Sequence, residues 1–461
     1  MILTAAQMRE AEEALIATGT DVHELMKRAG EGAAQWIWRM AAGRRVTVLC
    51  GPGNNGGDGY VLAEALRQRG GDVVVIAPLV PKTEAAQRAR SLWHGEILQN
   101  ADATAHGDVF VDALFGSGLS RPLEAEALAL LQALTEQHRH RVAIDLPSGL
   151  QTDTGMALNP GLPSYDLTLA LGGWKFAHVL MPACAMMGEK RLVPIGIAPV
   201  DGAATMIGRP KIARPGADAH KYMRGLLAVV GGAMPGAAIL ASLAAQGAGA
   251  GYVKLFADSK RNCPADLVVD TGDLAEVLVD HRNAAVLVGP GLGRDAAARE
   301  RLAVALADPV PVLLDADALV LLSPRLLAER EVPVVATPHE GELVALERAF
   351  DLDGSGSKTA RALALARESG MIVVAKGPDT VVAAPDGRLA CSAGANPWLS
   401  TAGTGDVLAG TIASRLASGV EPFEAACQGV WLHGDAARHC RLAFTAGQLA
   451  QAIPAALAAC L

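Results

Sequence analysis

The chain lacks several features, and each absence excludes a class of function. It has no run of Lys or Arg, and 48 acidic against 40 basic residues leave a formal net charge of -8. A duplex binder needs a basic surface that displaces counterions, so no nucleic-acid partner is expected. The seven cysteines (Cys50, Cys184, Cys263, Cys391, Cys427, Cys440 and Cys460) include no CxxC pair and are odd in number. They read as reduced thiols of a cytoplasmic protein. Met1-Ile2-Leu3-Thr4 is not a basic region followed by an apolar core, so no secretory signal is expected. The longest uncharged stretch, Gly225 to Val253, is interrupted early by Gly231, Gly232 and Pro235; it divides into a buried strand and a buried helix rather than a membrane span.

What is present is an α/β pattern. At 461 residues, 51% of them hydrophobic, the chain is long enough for two or three domains. Thr4 through Ala41 is helical in pattern, with Thr4 and Thr20 placed as caps, and reads as scaffold. Apolar runs then alternate with helical segments: Val46 to Cys50, Val73 to Ala77, Val109 to Ala113, Val142 to Ile144 and Leu167 to Leu171. Such runs are strands buried on both faces, which predicts a parallel, doubly wound sheet.

Ligands of such sheets lie outside the carboxyl ends of the strands. Three polar clusters stand at those ends. The first is Gly51-Pro52-Gly53-Asn54-Asn55-Gly56-Gly57-Asp58-Gly59, read as a glycine-rich turn ahead of a helix from Tyr60 to Arg69. Five glycines in nine residues suit a backbone anion cradle. Its paired Asn and its Asp fit no dinucleotide fingerprint, and no Gly-Lys-Ser/Thr follows as in a P-loop. The second is Asp112 with Gly116-Ser117-Gly118-Leu119-Ser120-Arg121-Pro122, and the third is Asp145-Leu146-Pro147-Ser148-Gly149. Their Asn, Asp and Ser oxygens, without His or Cys, are hard ligands suited to an alkali or alkaline-earth cation.

Pro and Gly break periodicity from Val193 to Pro215, which places a boundary between domains 1–210 and 211–461. A second α/β pattern follows, with polar residues again after apolar runs: Gly289-Pro290-Gly291-Leu292-Gly293, Asp315-Ala316-Asp317, Thr337-Pro338-His339 and Lys376-Gly377-Pro378-Asp379-Thr380. The strongest signal is Gly403-Thr404-Gly405-Asp406, a glycine turn opening a helix. Its free N–H groups and helix dipole would face an anion, with Asp406 placed as a base beside a bound phosphate. His433 and His439 read as structural.

Taken in order, these motifs resemble those of the bifunctional NAD(P)H-hydrate repair enzymes over nearly the whole chain. The resemblance implies a Rossmann-like, doubly wound three-layer sandwich followed by a ribokinase-like α/β domain. The first would epimerise the R and S forms of NADHX and NADPHX, the hydrated cofactors; the second would dehydrate the S form, converting ADP to AMP and phosphate. It further implies hydrated-nucleotide contacts from Asn54, Asn55, Gly56, Gly57, Asp58, Gly116, Ser117, Gly118, Leu119, Ser120, Arg121, Pro122 and Asp145. A potassium ion is implied at Asn55, Asp112 and Ser148. In the second half it implies substrate contacts from Ala237, Gly291, His339 and Asp406, and adenine-nucleotide contacts from Lys376, Gly377, Pro378, Asp379, Thr380 and Gly405, with Mg²⁺ as the companion of ADP. Asp406 is the expected dehydratase base and Asp145 the expected epimerase acid/base, with Asp58 second. An assembly of identical chains is expected. Glu340 and Tyr222 depart from the family pattern, which has proline and glycine there. The rival expectation is a small-molecule kinase fused to a module that binds nucleotide, protein or RNA without catalysis.

Overall fold

Every apolar run expected in the first half is a strand, Val46–Cys50 and Leu167–Leu171 with the limits read from sequence. Residues 1–100, 107–392 and 394–461 are described, in a computed structural model. They divide into two units, Met1–Ala204 and Thr205–Leu461. The division precedes residue 210 because Thr205–Met206 already pairs with Leu389–Cys391 of the second sheet.

The first unit is a seven-stranded sheet in the order Ile97–Leu98, Val73–Ile76, Val46–Cys50, Gly107–Ala113, His138–Ile144, Leu167–Leu171, Glu189–Val193, with every pair parallel. One face packs Ile37 and Leu62, from the helices Val22–Ala41 and Asn54–Gln68, over Val48 and Val111. The other packs Leu131 and Leu134, from Ala125–Glu136, over Leu49 and Phe110. The order in which strands are added reverses between Val46–Cys50 and Gly107–Ala113, and this switch point opens the crevice where ligands of such sheets bind.

Two local expectations are corrected. Thr4 to Ala41 is two helices, Ala5–Ala17 and Val22–Ala41, separated at Gly19 with φ 100°. Thr4 caps the first through a reciprocal pair with Gln7, but Asp21, not Thr20, caps the second by accepting from the His23 N–H. The glycine-rich turn is also shorter than it looks. The helix begins at Asn54, so Gly56, Gly57 and Gly59 lie inside it, and none of the five glycines has positive φ. All but Gly53 are there for space. A Cβ at Gly56 would stand 1.9 Å from the Gly51 carbonyl oxygen, and one at Gly59 would stand 2.8 Å from Ala113 Cβ. Gly56→Ala is therefore expected to destabilise this unit by about 1–3 kcal/mol or more, read as a lower urea midpoint at unchanged slope.

The second unit is a ten-stranded sheet, in order Thr205–Met206, Leu389–Cys391, Val381–Ala383, Ile372–Ala375, Val334–Ala336, Val312–Leu314, Asn283–Val288, Leu226–Val230, Tyr252–Phe256, Val268–Asp270. It is parallel except where Val381–Ala383 runs against both neighbours. The order in which strands are added reverses between Leu226–Val230 and Asn283–Val288. The alanine-rich helix Pro235–Gly247 lies close on Thr404–Ala417, where a Cβ at Gly410 would stand 2.0 Å from the Ala241 carbonyl oxygen. Among the described residues no helix is long and apolar enough to cross a membrane. Among the described residues no disulfide is formed.

Candidate functional site

In the first unit a cleft of about 810 Å³ opens at the switch point. Asn54, Asn55, Asp58, Asp145 and the loop Gly116 to Arg121 line it. Gly56, Gly57 and Pro122 do not; the two glycines are consumed in packing against Gly51 and Met26.

Asp145 follows the strand His138–Ile144 with φ 63°, a left-handed conformation that Asp tolerates better than most residues. The turn aims its carboxylate into the cleft, where Oδ2 accepts from the Ser117 N–H at 3.1 Å and Oδ1 from Lys175 Nζ at 2.5 Å. Lys175 is 1% exposed and also donates to the Leu171 carbonyl at 2.6 Å. His178 Nδ1 accepts from the Lys175 N–H at 2.8 Å, so its Nε2 carries the proton and donates to the Asp145 carbonyl at 2.7 Å. Burial opposes the charge on Asp145, but Lys175 outweighs it and holds the carboxyl below its ordinary range. Asp58 is the opposite case: burial, with the charges of Asp145 and Glu12 added, pushes it far up. The same cleft thus holds one carboxyl shifted toward its ionised form and one shifted toward its protonated form, the arrangement by which acid and base roles separate.

Beneath the loop, Asp112 accepts from Ser148 Oγ at 2.7 Å, Ser148 N at 2.9 Å, Leu114 N at 3.1 Å and Tyr165 Oη at 2.6 Å. Ser148 Oγ in turn accepts from the Phe115 N–H at 2.9 Å. Asn55 is different: both polar atoms of its amide are buried without a hydrogen-bond partner. A Cβ at Gly116 would stand 3.0 Å from the Asn55 amide and 3.2 Å from Asp145 Oδ2, so this glycine leaves room beside both.

Among the residues of the cleft that escaped sequence reading, two stand out. Lys175 follows Leu167–Leu171 by four positions, where the strand-end rule applied elsewhere would have marked it. Glu12 sits in the helix read as scaffold, and only the folded chain brings it to the cleft.

In the second unit the glycine turn is as expected. Gly403, φ 90°, is the N-cap of Thr404–Ala417 and offers no side-chain cap, so the helix N–H groups are left for a ligand. Asp406 stands in the first turn, and its carboxyl is pushed up to about 6 by burial and by Asp315, against Lys376. Lys376 Nζ donates to Asp315 Oδ1 at 2.6 Å, lies 3.7 Å from Glu342 Oε2, and is 3.6 Å from where a Gly405 Cβ would be. Its ammonium therefore faces the turn, and Asp315 and Glu342 outweigh burial to keep it protonated. Thr337 Oγ1 donates to Asp315 Oδ1 at 2.7 Å, completing the support. Asp315 and Glu342 are the site residues the sequence left unassigned.

The rest of the Lys376 to Thr380 loop is self-supporting. Thr380 Oγ1 closes on both polar groups of the Gly377 backbone, and Asp379 pairs with Lys358 at 2.6 Å. His339 caps Glu340–Ala349: Nδ1 accepts from Gly341 N at 3.0 Å and Glu342 N at 3.2 Å, leaving an exposed ring. Gly291 and the turn before Ala237 meet through Met234 N–H donating to the Gly291 carbonyl at 2.9 Å. His433 donates from Nε2 to the Thr404 carbonyl at 2.9 Å, with burial holding its ring neutral down to about 4. The two departures are accommodated: Glu340 pairs with Arg361, and Tyr222 accepts from Arg282 at 2.9 Å.

Comparison with known proteins covers both units. A family model described as NAD(P)H-hydrate dehydratase matches residues 227–458, and one described as the N-terminus of YjeF-related proteins matches residues 22–177. The chain is 34% identical to the bifunctional NAD(P)H-hydrate repair enzyme Nnr of Mycobacterium leprae, covering 94% of this chain and 93% of that one. It is also 34% identical to the enzyme of the same name from Gloeobacter violaceus, covering 99% and 98%. Among solved structures, a ribokinase-like superfamily protein of Enterococcus faecalis superposes with a TM-score of 0.50 at 26% identity, over 57% of this chain and 98% of that one.

Proposed function

Because the chain belongs to the bifunctional NAD(P)H-hydrate repair enzymes, which epimerise NAD(P)HX and dehydrate its S form at the expense of ADP, we propose how its two units divide the chemistry. Met1–Ala204 carries the epimerase and Thr205–Leu461 the dehydratase.

The observation that carries the epimerase assignment is the pair of buried carboxyls lining one cleft, Asp145 held by Lys175 at 2.5 Å and Asp58, with burial and neighbours shifting the first down and the second up. The hydrated ring bears a hydroxyl on C6 next to N1. Inverting C6 requires one group that protonates the departing hydroxyl and another that takes a proton from the incoming water. Asp58 gives the proton and Asp145 accepts one. Arg9, Lys82 and Arg121 line the same cleft and suit the phosphates of a dinucleotide. Potassium fits here through Asn55, whose orphaned amide needs a partner, and through Ser148, with Asp112 supplying negative charge behind it. A bound cation there would stabilise the loop at Gly116.

In the dehydratase, hydroxide is a poor leaving group and phosphate a good one. Asp406 deprotonates the C6 hydroxyl as it attacks the terminal phosphate of ADP. The N–H groups of the Gly403 turn and the Lys376 ammonium hold the transferring charge. N1 then expels phosphate, forming N1=C6, and loss of a proton from C5 to solvent gives NAD(P)H, with AMP as the other product. Ala237, Gly291 and His339 border the hydrated ring; Gly405 and the Lys376 to Thr380 loop hold the adenine nucleotide. The carboxylates of Asp315 and Glu342 beside Lys376 suit Mg²⁺ arriving with ADP. Seven cysteines without a CxxC pair support a cytoplasmic setting.

The test is a mixture of R- and S-NADHX given to the purified chain with ADP, Mg²⁺ and K⁺. Both epimers should disappear as AMP and phosphate accumulate, and replacing K⁺ by tetramethylammonium should slow loss of the R form alone. Loss of R no faster than in buffer would remove the epimerase, and no loss of either would remove the dehydratase.

Asp406 acts as a base only when ionised, so dehydration should weaken as pH falls below about 6. Asp315 makes that anion costlier. Asp315→Asn should lower the Asp406 pKa and move the acid limb of kcat to lower pH, while reducing kcat because Lys376 loses its holder. A limb that stays in place would exclude this coupling.

A further inference from the structure

The N-terminal helix is built into the epimerase cleft. Ile2–Leu3 runs parallel to Trp174–Lys175, with Leu3 opposite Lys175 itself. The Ile2 N–H donates to the Ala204 carbonyl at 2.6 Å and the Ala5 N–H to Asp153 Oδ1 at 2.7 Å. Met8 is buried against Gly172, where a Cβ would meet its Cε at 2.5 Å. Ala5, Met8, Glu12 and Ile16, spaced as one helical face, line the cleft as a fixed wall.

Glu12 is half-buried on this wall, and among the described residues its carboxyl has no hydrogen bond and no ion pair. Its carboxyl therefore opens to the cleft rather than being tied to the wall. On its own helix it faces Arg9 and Glu13; across the cleft it shares the field of Lys175, Asp145 and Asp58. Burial, with Asp145 added, pushes its carboxyl up despite Lys175.

This inference rests on the roles given above to Asp58 and Asp145. In one turnover the Asp58 carboxyl gives its proton to the C6 hydroxyl. The C6–O bond breaks, its electron pair leaves with water, and the N1 lone pair forms N1=C6. Water adds to the other face, the electrons return to N1, and the surplus proton passes to the Asp145 carboxylate. Asp58 is left ionised and Asp145 protonated, the reverse of the starting state. We propose that Glu12 returns this proton, accepting it from Asp145 and delivering it to Asp58, and so acts through them rather than on the ring.

The test uses the full chain carrying Glu12→Gln. Epimerisation kcat should fall by about tenfold or more with KM within about twofold, formate should restore part of kcat in the variant but not raise it in the wild type, and Glu12→Asp should lie above Glu12→Gln. ADP-dependent dehydration of pure S-NADHX by the same preparations should be unchanged, showing the second unit intact, and an unaltered urea midpoint of the first unit should show that unit folded. A wild-type kcat in Glu12→Gln would overturn the proposal; so would a loss that neither formate nor Glu12→Asp relieves, since that marks a structural wall. A wild-type chain that does not epimerise at all would instead overturn the parent assignment, and this one with it.

Discussion

Asp406→Asn is expected to reduce ADP-dependent dehydration by about 10²–10⁴-fold, the contribution of a positioned general base, or about 3–5 kcal/mol of barrier. The side chain keeps its size and its place in the first turn of Thr404–Ala417, so what is lost is the capacity to take a proton. The mirror of a stabilised helix is also expected: the carboxyl is held up to about 6 by burial and Asp315, so its replacement by a neutral amide relieves an unfavourable charge and leaves stability level or slightly raised. ADP binding should persist, because Lys376 and the uncapped N–H groups of the turn remain. Epimerisation in the same chain is the internal reference. Release of AMP and phosphate from S-NADHX and ADP measures the effect, and turnover near the wild-type rate would take Asp406 out of the mechanism.

The second large effect is expected from Lys175→Met, because it strikes fold and function together. Lys175 and Asp145 are a buried pair, 1% and 7% exposed at their side chains and 2.5 Å apart. Removing the cation leaves a buried carboxylate uncompensated, at a cost of about 3–5 kcal/mol. The lost field also lets burial push Asp145 up, so the base becomes an acid like Asp58, and both members of the pair would then begin protonated. Epimerisation should fall by about 10²-fold or more, while dehydration of pure S-NADHX continues below the melting temperature of the first unit. Adding Asp145→Asn removes the stranded charge and, since Asn also tolerates a positive φ, should recover most of the stability without recovering activity. Denaturant midpoints and epimerisation rates of the two single variants and the double variant decide this. Stability unaltered by Lys175→Met would show that the pair is not energetically coupled.

How much of this could be read from residues alone depended on whether the signal was local. Strands buried on both faces announce themselves as continuous apolar runs, and the rule that ligands gather at their carboxyl ends brought Asp145, the Gly116 loop, His339, Lys376 and Asp406 to attention without a structure. Residues whose meaning lies in a partner were harder to see. Lys175 is an ordinary lysine until Asp145 stands beside it, and Asp315 is one acid among many until Lys376 reaches it. Glu12 belongs to a helix whose pattern suits any scaffold; its place was fixed by the pairing of Leu3 with Lys175, far away in sequence. The protonation states of Asp58 and Asp145 were equally out of reach, because they follow from burial and neighbours and not from residue type.

The glycines of the opening helix have a practical meaning for anyone mapping this protein by substitution. A saturation scan would find Gly51, Gly56 and Gly59 among the least tolerant positions, as strongly marked as Asp145, and a heat map would group them together as one catalytic motif. Their intolerance has another origin: at Gly51 and Gly56 a first side-chain carbon would fall 1.7 and 1.9 Å from a backbone oxygen, so nearly every substitution fails before the substrate is involved. Abundance scored beside activity would separate the two groups, with the glycine variants missing from the cell and the Asp145 variants present but inactive.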